Sequence, residues 1–156
     1  MDTSVDTFDR KILALVQLDC HLNAEVIAEQ VGLSASAVQR RLRRMRSEKI
    51  ITAEVAIVDK QALGPLMTFI AGLEIRENYD ALPRIGRWAE GHPEIQQIYY
   101  VTGNVDLMLV ITAQSVKAYD MITARMMAEN PHITRITTNV VLDTIKQGLY
   151  VPVEPT

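Results

Sequence analysis

The stretch "IAEQVGLSASAVQRRL" constrains this chain more than any other. Ala28, Gly32, Leu33 and Val38 stand at offsets 0, +4, +5 and +10, with Ile27 and Val31 beside them. A small residue where two helices cross, a glycine at the turn and apolar anchors on both helices are what a helix-turn-helix requires. Asn23 is positioned as the N-cap of the first of these helices, Gly32 as its stop and Ser34 as the N-cap of the next. Ahead of them, Phe8, Ile12, Leu15, Val16 and Leu18 recur at helical spacing, which predicts an opening helix capped by Asp6 or Thr7. In the second helix, Val26, Ile27 and Val31 are the predicted inner stripe.

The helix expected after Ser34 carries "VQRRLRRMR", five arginines in nine residues of a chain whose formal net charge is −3. On a helical wheel Val38, Leu42 and Met45 share one face, with Ser36, Arg40, Arg43 and Arg44 roughly opposite. Positions 35–47 contain no Asp or Glu, so no i,i+4 partner within the helix offsets the arginines. Residues 1–52 hold 8 Lys+Arg against 7 Asp+Glu, whereas residues 53–156 hold 8 against 12. A basic face on an acidic chain points to an anionic partner for that face, and the helix-turn-helix makes the partner double-stranded DNA. Ser36, Gln39 and Arg40 are expected to reach base edges, with Arg40 able to make a bidentate contact to guanine. Arg43 and Arg44 are divided between bases and phosphates. Arg41 and Arg46 go to phosphates or intradomain packing, and Ser34 lies at the helix start against the DNA.

After Lys49 the period changes. "IITAEVAIVD" is β-branched and partly alternating and reads as a strand or short hairpin, giving a first domain over 1–58. Residues 59–66, with Gly64-Pro65, form the predicted linker. A strand at about 67–75, a helix at about 80–90, strands at about 95–102 and 105–112 joined by a "GN" turn, a helix at about 115–129 and a strand at about 133–145 follow. "LYVPV" is a candidate extra strand. This β-α-β-β-α-β order over 67–156 is the ferredoxin-like arrangement, so the fold class is α+β.

No run approaches the roughly 20 apolar residues of a membrane span, and "MDTSVDTFDR" carries acids where a signal peptide carries bases. The expected location is cytoplasmic, on the nucleoid. Cys20 stands alone and His21, His92 and His132 lack ligand spacing, so neither a metal site nor a cofactor is expected. Neither a nucleophile with its base nor a phosphate-binding glycine loop is present, so no enzyme and no catalytic residues are expected.

Taken in order, "VDTFDRKILALVQLD", "IAEQVGLSASAVQRRLRRM", "VTGNVDLMLVI" and "TNVVLDTIKQGLYVPV" closely resemble the Lrp/AsnC family of transcription regulators. One departure is visible: where the family usually has Gly-Val-Ile after its reading helix, this chain has Lys49-Ile50-Ile51, without the glycine stop. The resemblance implies a winged-helix-like DNA reader joined to a C-terminal domain that pairs in a homodimer, the dimers commonly forming a ring of four, on pseudo-palindromic operators. It also implies an amino-acid effector near a Gly-x-x-Asp turn, which Gly103, Asn104, Val105 and Asp106 match. Tyr100, Asn139, Val140 and Val141 match positions that influence effector response, shaping the side-chain half of the pocket or the interface, with plain core the alternative for Val140 and Val141. From the residues alone, Gly103-Asn104 is also simply a tight turn and Asp106 its cap. The alternative is an architectural DNA-organising protein without an effector.

Overall fold

The computed structural model describes residues 5–76 and 80–153. Met1–Ile57 with Lys146–Thr156 form one compact unit and Val58–Ile145 form another. Among the described residues, no helix is long and apolar enough to cross a membrane.

In the first unit, α1 (Thr7–Val16), α2 (Ala24–Val31) and α3 (Ala35–Ser47) start on the residues their capping chemistry designates. Asp6 accepts from Asp9 N–H at 2.8 Å while the Asp9 carboxylate accepts from Asp6 N–H at 3.2 Å, a reciprocal capping box. Asn23 Oδ1 accepts from Val26 N–H and Ser34 Oγ from Ala37 N–H. Gly32 ends α2 at φ 74°, the left-handed backbone that favours glycine. Ile12, Ala24, Ile27, Ala28, Val31, Val38, Leu42 and Met45 form the core. Three expected core positions fall outside it: Phe8, Leu18 and Val26 are exposed, Ala24 and Ala28 taking the inner face of α2 and α1 ending before Leu18.

The missing glycine after α3 is replaced by strain. Lys49 itself adopts φ 59°, and the turn closes through Lys49 N–H to Arg46 O and Ile51 N–H to Met45 O. The helix therefore stops where the family's glycine would stop it, with a Cβ in a region that costs an L-residue about 1–2 kcal/mol. Residues 52–59, expected as a strand or short hairpin, carry no regular secondary structure, with Val55, Ile57 and Val58 exposed, and no strand pairs with them among the described residues. Residues 146–153, assigned above to the second domain, group with the first unit. "LYVPV" is not a strand: the Gln17 side-chain amide donates to Val151 O (3.1 Å) and accepts from Val151 N–H (2.8 Å), so a side chain takes the place of a neighbouring strand.

The second unit opens with a 3-10 turn, Lys60–Leu63, inside the predicted linker. β1 (Met67–Ile75), α4 (Ala81–Glu90), β2 (Ile95–Tyr100), β3 (Leu107–Ala113), α5 (Val116–Glu129) and β4 (Ile133–Val140) give the expected order. The antiparallel sheet runs β2-β3-β1-β4. Phe69, Ala71 and Leu73 pair with Ile111, Leu109 and Leu107, and all six are buried, which defines the face that packs with Ala81, Ile85, Tyr119, Ile122 and Met126 of the two helices. Phe69 and Tyr119 stack with centroids 4.1 Å apart, and Tyr119 Oη meets Thr138 Oγ1 at 2.6 Å. The opposite face carries Ile70, Met108 and Val110, half-buried, and Tyr99, exposed.

Replacing Lys49 by glycine should stabilise the first unit by about 0.5–1 kcal/mol, the relief of the left-handed strain less the added freedom of the unfolded chain. Urea unfolding of the two proteins checks this, and an unchanged or lowered midpoint would contradict the strain.

Candidate functional site

The arginines of α3 divide into two sets. Asp9, on the inner face of α1, is fully buried (0% exposed). Arg41 Nη1 reaches its Oδ1 at 2.9 Å, and Arg44 Nη2 pairs with its Oδ2. Arg41 Nη1 also contacts Asp6 Oδ2 at 2.6 Å, and its guanidinium lies 5.6 Å from the Phe8 ring centre. A buried carboxylate is tolerated only when paired and hydrogen-bonded, and here its charge is met from two directions. The absence of acids within α3 is thus offset by Asp6 and Asp9 across the helix crossing, and Glu48, the C-cap of α3, adds an i,i+4 contact to Arg44 at 3.9 Å. Arg46 pairs with Glu54 at 2.7 Å.

Ser36, Gln39, Arg40 and Arg43 remain on the exposed face of α3. Arg43 Nε donates to Gln39 O at 3.4 Å along the helix, and Ser36 Oγ lies 3.1 Å from Ser34 Oγ. Among the described residues neither Arg40 nor Arg43 has an ion-pair partner. The only sequence signal for the Asp9 pairing was an acid one turn before Ile12 on the apolar stripe of α1, opposite a helix crowded with arginine.

In the second unit the predicted two-residue "GN" turn is a six-residue loop, 101–106. Asp106 extends the pairing of β3 on both sides: its N–H donates to Leu73 O at 2.8 Å and its O accepts from Val101 N–H, while its Oδ2 accepts from Ile75 N–H at 2.7 Å. Gly103 takes φ 130° at the loop's tip. Val105 folds onto the open sheet face over Gly72; a Cβ there would lie 2.9 Å from Val105 Cγ1, so a side chain at 72 would displace Val105. Asn139 pairs with Ile70 on that same face, whereas Val140 pairs with Phe69 and Tyr100 with Leu107, whose side chains face the helices. Val141, just past β4, donates its N–H to Thr68 O. Gly103–Asp106 thus sit beside the end of β1, and Asn139–Val141 beside its start. Two cavities among the described residues of this unit, one beside Trp88 and one beside Glu94, are lined by none of these residues.

The Asp9 N–H and the Arg41 guanidinium hold the Asp6 carboxyl below its usual value of 3.8, against a smaller opposing effect of burial. Because the folded value is depressed, the stability contributed by its charge is present above that usual value and is lost as pH falls through the folded one. Asp6→Asn, which keeps a capping oxygen, should therefore destabilise the protein near neutral pH and converge with the parent at strongly acidic pH; unfolding curves across pH test this, and a pH-independent difference would contradict it.

Two family models match the chain: the AsnC-type helix-turn-helix domain over residues 5–46 and the Lrp/AsnC ligand binding domain over residues 68–151. An uncharacterized HTH-type transcriptional regulator of Sinorhizobium fredii is 38% identical over 151 residues, covering 96% of this chain and 89% of the relative. Among solved structures, an AsnC family transcriptional regulator from Agrobacterium tumefaciens matches with a TM-score of 0.83 at 27% identity, covering 97% of both chains. A transcriptional regulator of Neisseria meningitidis, solved as an L-Met complex, has the same fold, with a TM-score of 0.84 at 22% identity over 96% of this chain and 97% of that one.

Proposed function

We propose, for a chain that belongs to the Lrp/AsnC family of transcriptional regulators, that α3 reads an operator in the major groove through Ser36, Gln39, Arg40 and Arg43. The observation that carries this reading is the partition of the arginines. Asp9 holds Arg41 and Arg44 within the head, and Arg40 and Arg43 stay exposed and unpaired among the described residues. Arg40, near the start of the helix, is the bidentate partner for a guanine; Arg43, one turn on, divides between a base edge and phosphate. Ser34 acts as the helix cap, with its N–H directed toward the phosphate backbone. Arg41 and Arg44 hold the helix at its angle.

A single recognition helix buries too little surface for tight specific binding, so the functional unit is at least a homodimer on a pseudo-palindromic site. The open sheet face, with half-buried Ile70, Met108 and Val110, is the surface a second copy covers, and further pairing gives a ring of four dimers. The effector is an amino acid held where copies meet, by backbone N–H groups of the 103–106 loop and by Asp106, whose Oδ2 is already fixed by Ile75 N–H. The L-Met complex of the Neisseria regulator supports this chemistry. A ligand seated between copies shifts DNA affinity by its differential affinity for two arrangements of the heads. The protein acts on the nucleoid, as a binding protein and not as an enzyme.

Arg40→Ala should lose about 1–3 kcal/mol on the operator and relax base preference at one position in each half-site, measured by competition binding against single-base operator variants. Equal loss on random DNA would favour an architectural role. Calorimetric titration of the amino acids, with light scattering, should find one that binds and changes either assembly or operator affinity; none doing so would refute effector control.

A further inference from the structure

A groove of about 850 Å³ lies at the end of the sheet opposite the 101–106 loop. Leu66, at the start of β1, Pro93 and Glu94, at the start of β2, and Thr112 to Gln114, at the end of β3, form one wall, and Ala118, Met121, Ile122 and Arg125 of α5 form the other. Its size falls in the range of about 300–1,000 Å³ usual for small-molecule sites. Glu94 Oε2 is buried there without a hydrogen-bond donor among the described residues. Buried acceptors are nearly always satisfied, so this one marks a place for a donor. The Glu94 backbone is fixed separately, its carbonyl accepting from Thr112 N–H at 2.8 Å. Arg125 lines the same groove, exposed and without an ion-pair partner among the described residues. The same groove has an apolar lining, with Ile122 buried, Ala118 half-buried and Met121 65% exposed.

We propose that this groove is a second small-molecule site, separate from the loop site proposed above, and that it takes a small amphipathic zwitterion such as an apolar α-amino acid. The cationic nitrogen of the ligand donates to Glu94, its carboxylate meets the Arg125 guanidinium, and its apolar body lies along Ala118, Met121 and Ile122. Charge-assisted bonds to the two charged groups of the ligand's head give orientation, and removing either group removes one of them. The groove lies wholly within the second unit, so it is formed by one chain.

Methyl NMR of the full-length protein tests this through the methyls of Met121 and Ile122 for the groove and of Val105 for the loop. The probes are L-leucine, L-methionine and L-phenylalanine, with N-acetyl-L-leucine lacking the cation and isopentylamine lacking the carboxylate. At least one amino acid should shift Met121 and Ile122 saturably. Its affinity should fall at least tenfold in Glu94→Gln, which preserves shape and the backbone bond to Thr112, and should fall also in Arg125→Gln; the N-acetyl and amine analogues should be correspondingly weak. Asp106→Ala should leave these shifts in place. No response at Met121 and Ile122 from any of the three amino acids, or binding undiminished in Glu94→Gln, would overturn the groove site. A response confined to Val105 and lost in Asp106→Ala would overturn it too, while leaving the loop site standing.

Discussion

The DNA-binding head depends on one buried charge. Asp9 is the only fully buried ionised side chain among the described residues of the head, and its carboxylate simultaneously closes the capping box of α1 and binds two guanidinium groups from α3. Such a group is destabilising unless its partners are held in place, which makes the crossing of α1 and α3 stringent. An apolar contact between the same helices tolerates rotation; a carboxylate bonded to arginines one turn apart does not. The same ion pairs therefore set which residues face outward. Rotation of α3 toward Arg44 would expose a neutralised charge, and the observed setting presents Ser36, Gln39, Arg40 and Arg43 together.

The second unit solves a different problem, that of a sheet with helices on one side. Strict alternation in β3, buried at Leu107, Leu109, Ile111 and Ala113 and partly covered between them, gives it one finished face and one half-finished one. On the half-finished face Gly72 leaves room for Val105, and Asp106 ties the loop to β1 through both main chain and side chain. Two bonds to β1, one bond across the base of the loop and the seating of Val105 over Gly72 thus hold a six-residue loop against the sheet. A loop so anchored presents its backbone N–H groups in a fixed arrangement, which is what recognition of a carboxylate requires.

The sequence carried the local chemistry of this fold almost completely. Asp6, Asn23, Ser34 and Ser115 cap where short polar side chains precede apolar periodicity, Gly32 turns where a left-handed residue is needed, and the βαββαβ order follows from periods of two and 3.6. What it hid depends on partners distant in the chain. Asp9 reads as an ordinary first-turn acid until α3 is folded against it. Lys49 in a glycine conformation, the Asp106 side chain accepting from Ile75 N–H, and Gln17 standing in for a strand beside Val151 each depend on a contact that spacing does not encode. The β-branched run after Ile50 has strand propensity and no neighbour to pair with among the described residues, and propensity alone does not make a ladder.

Salt dependence of DNA affinity tests the partition of the arginines most directly. An arginine that contacts phosphate releases counterions, and removing it flattens the plot of log K against log salt by about one unit. In this account Arg44 is neutralised by Asp9 before DNA arrives, so Arg44→Gln leaves the slope unchanged while lowering stability, whereas Arg43→Gln reduces it. A slope that falls by about one in Arg44→Gln, with Arg43→Gln unchanged, would contradict the central claim that Asp9 chooses which arginines meet the DNA.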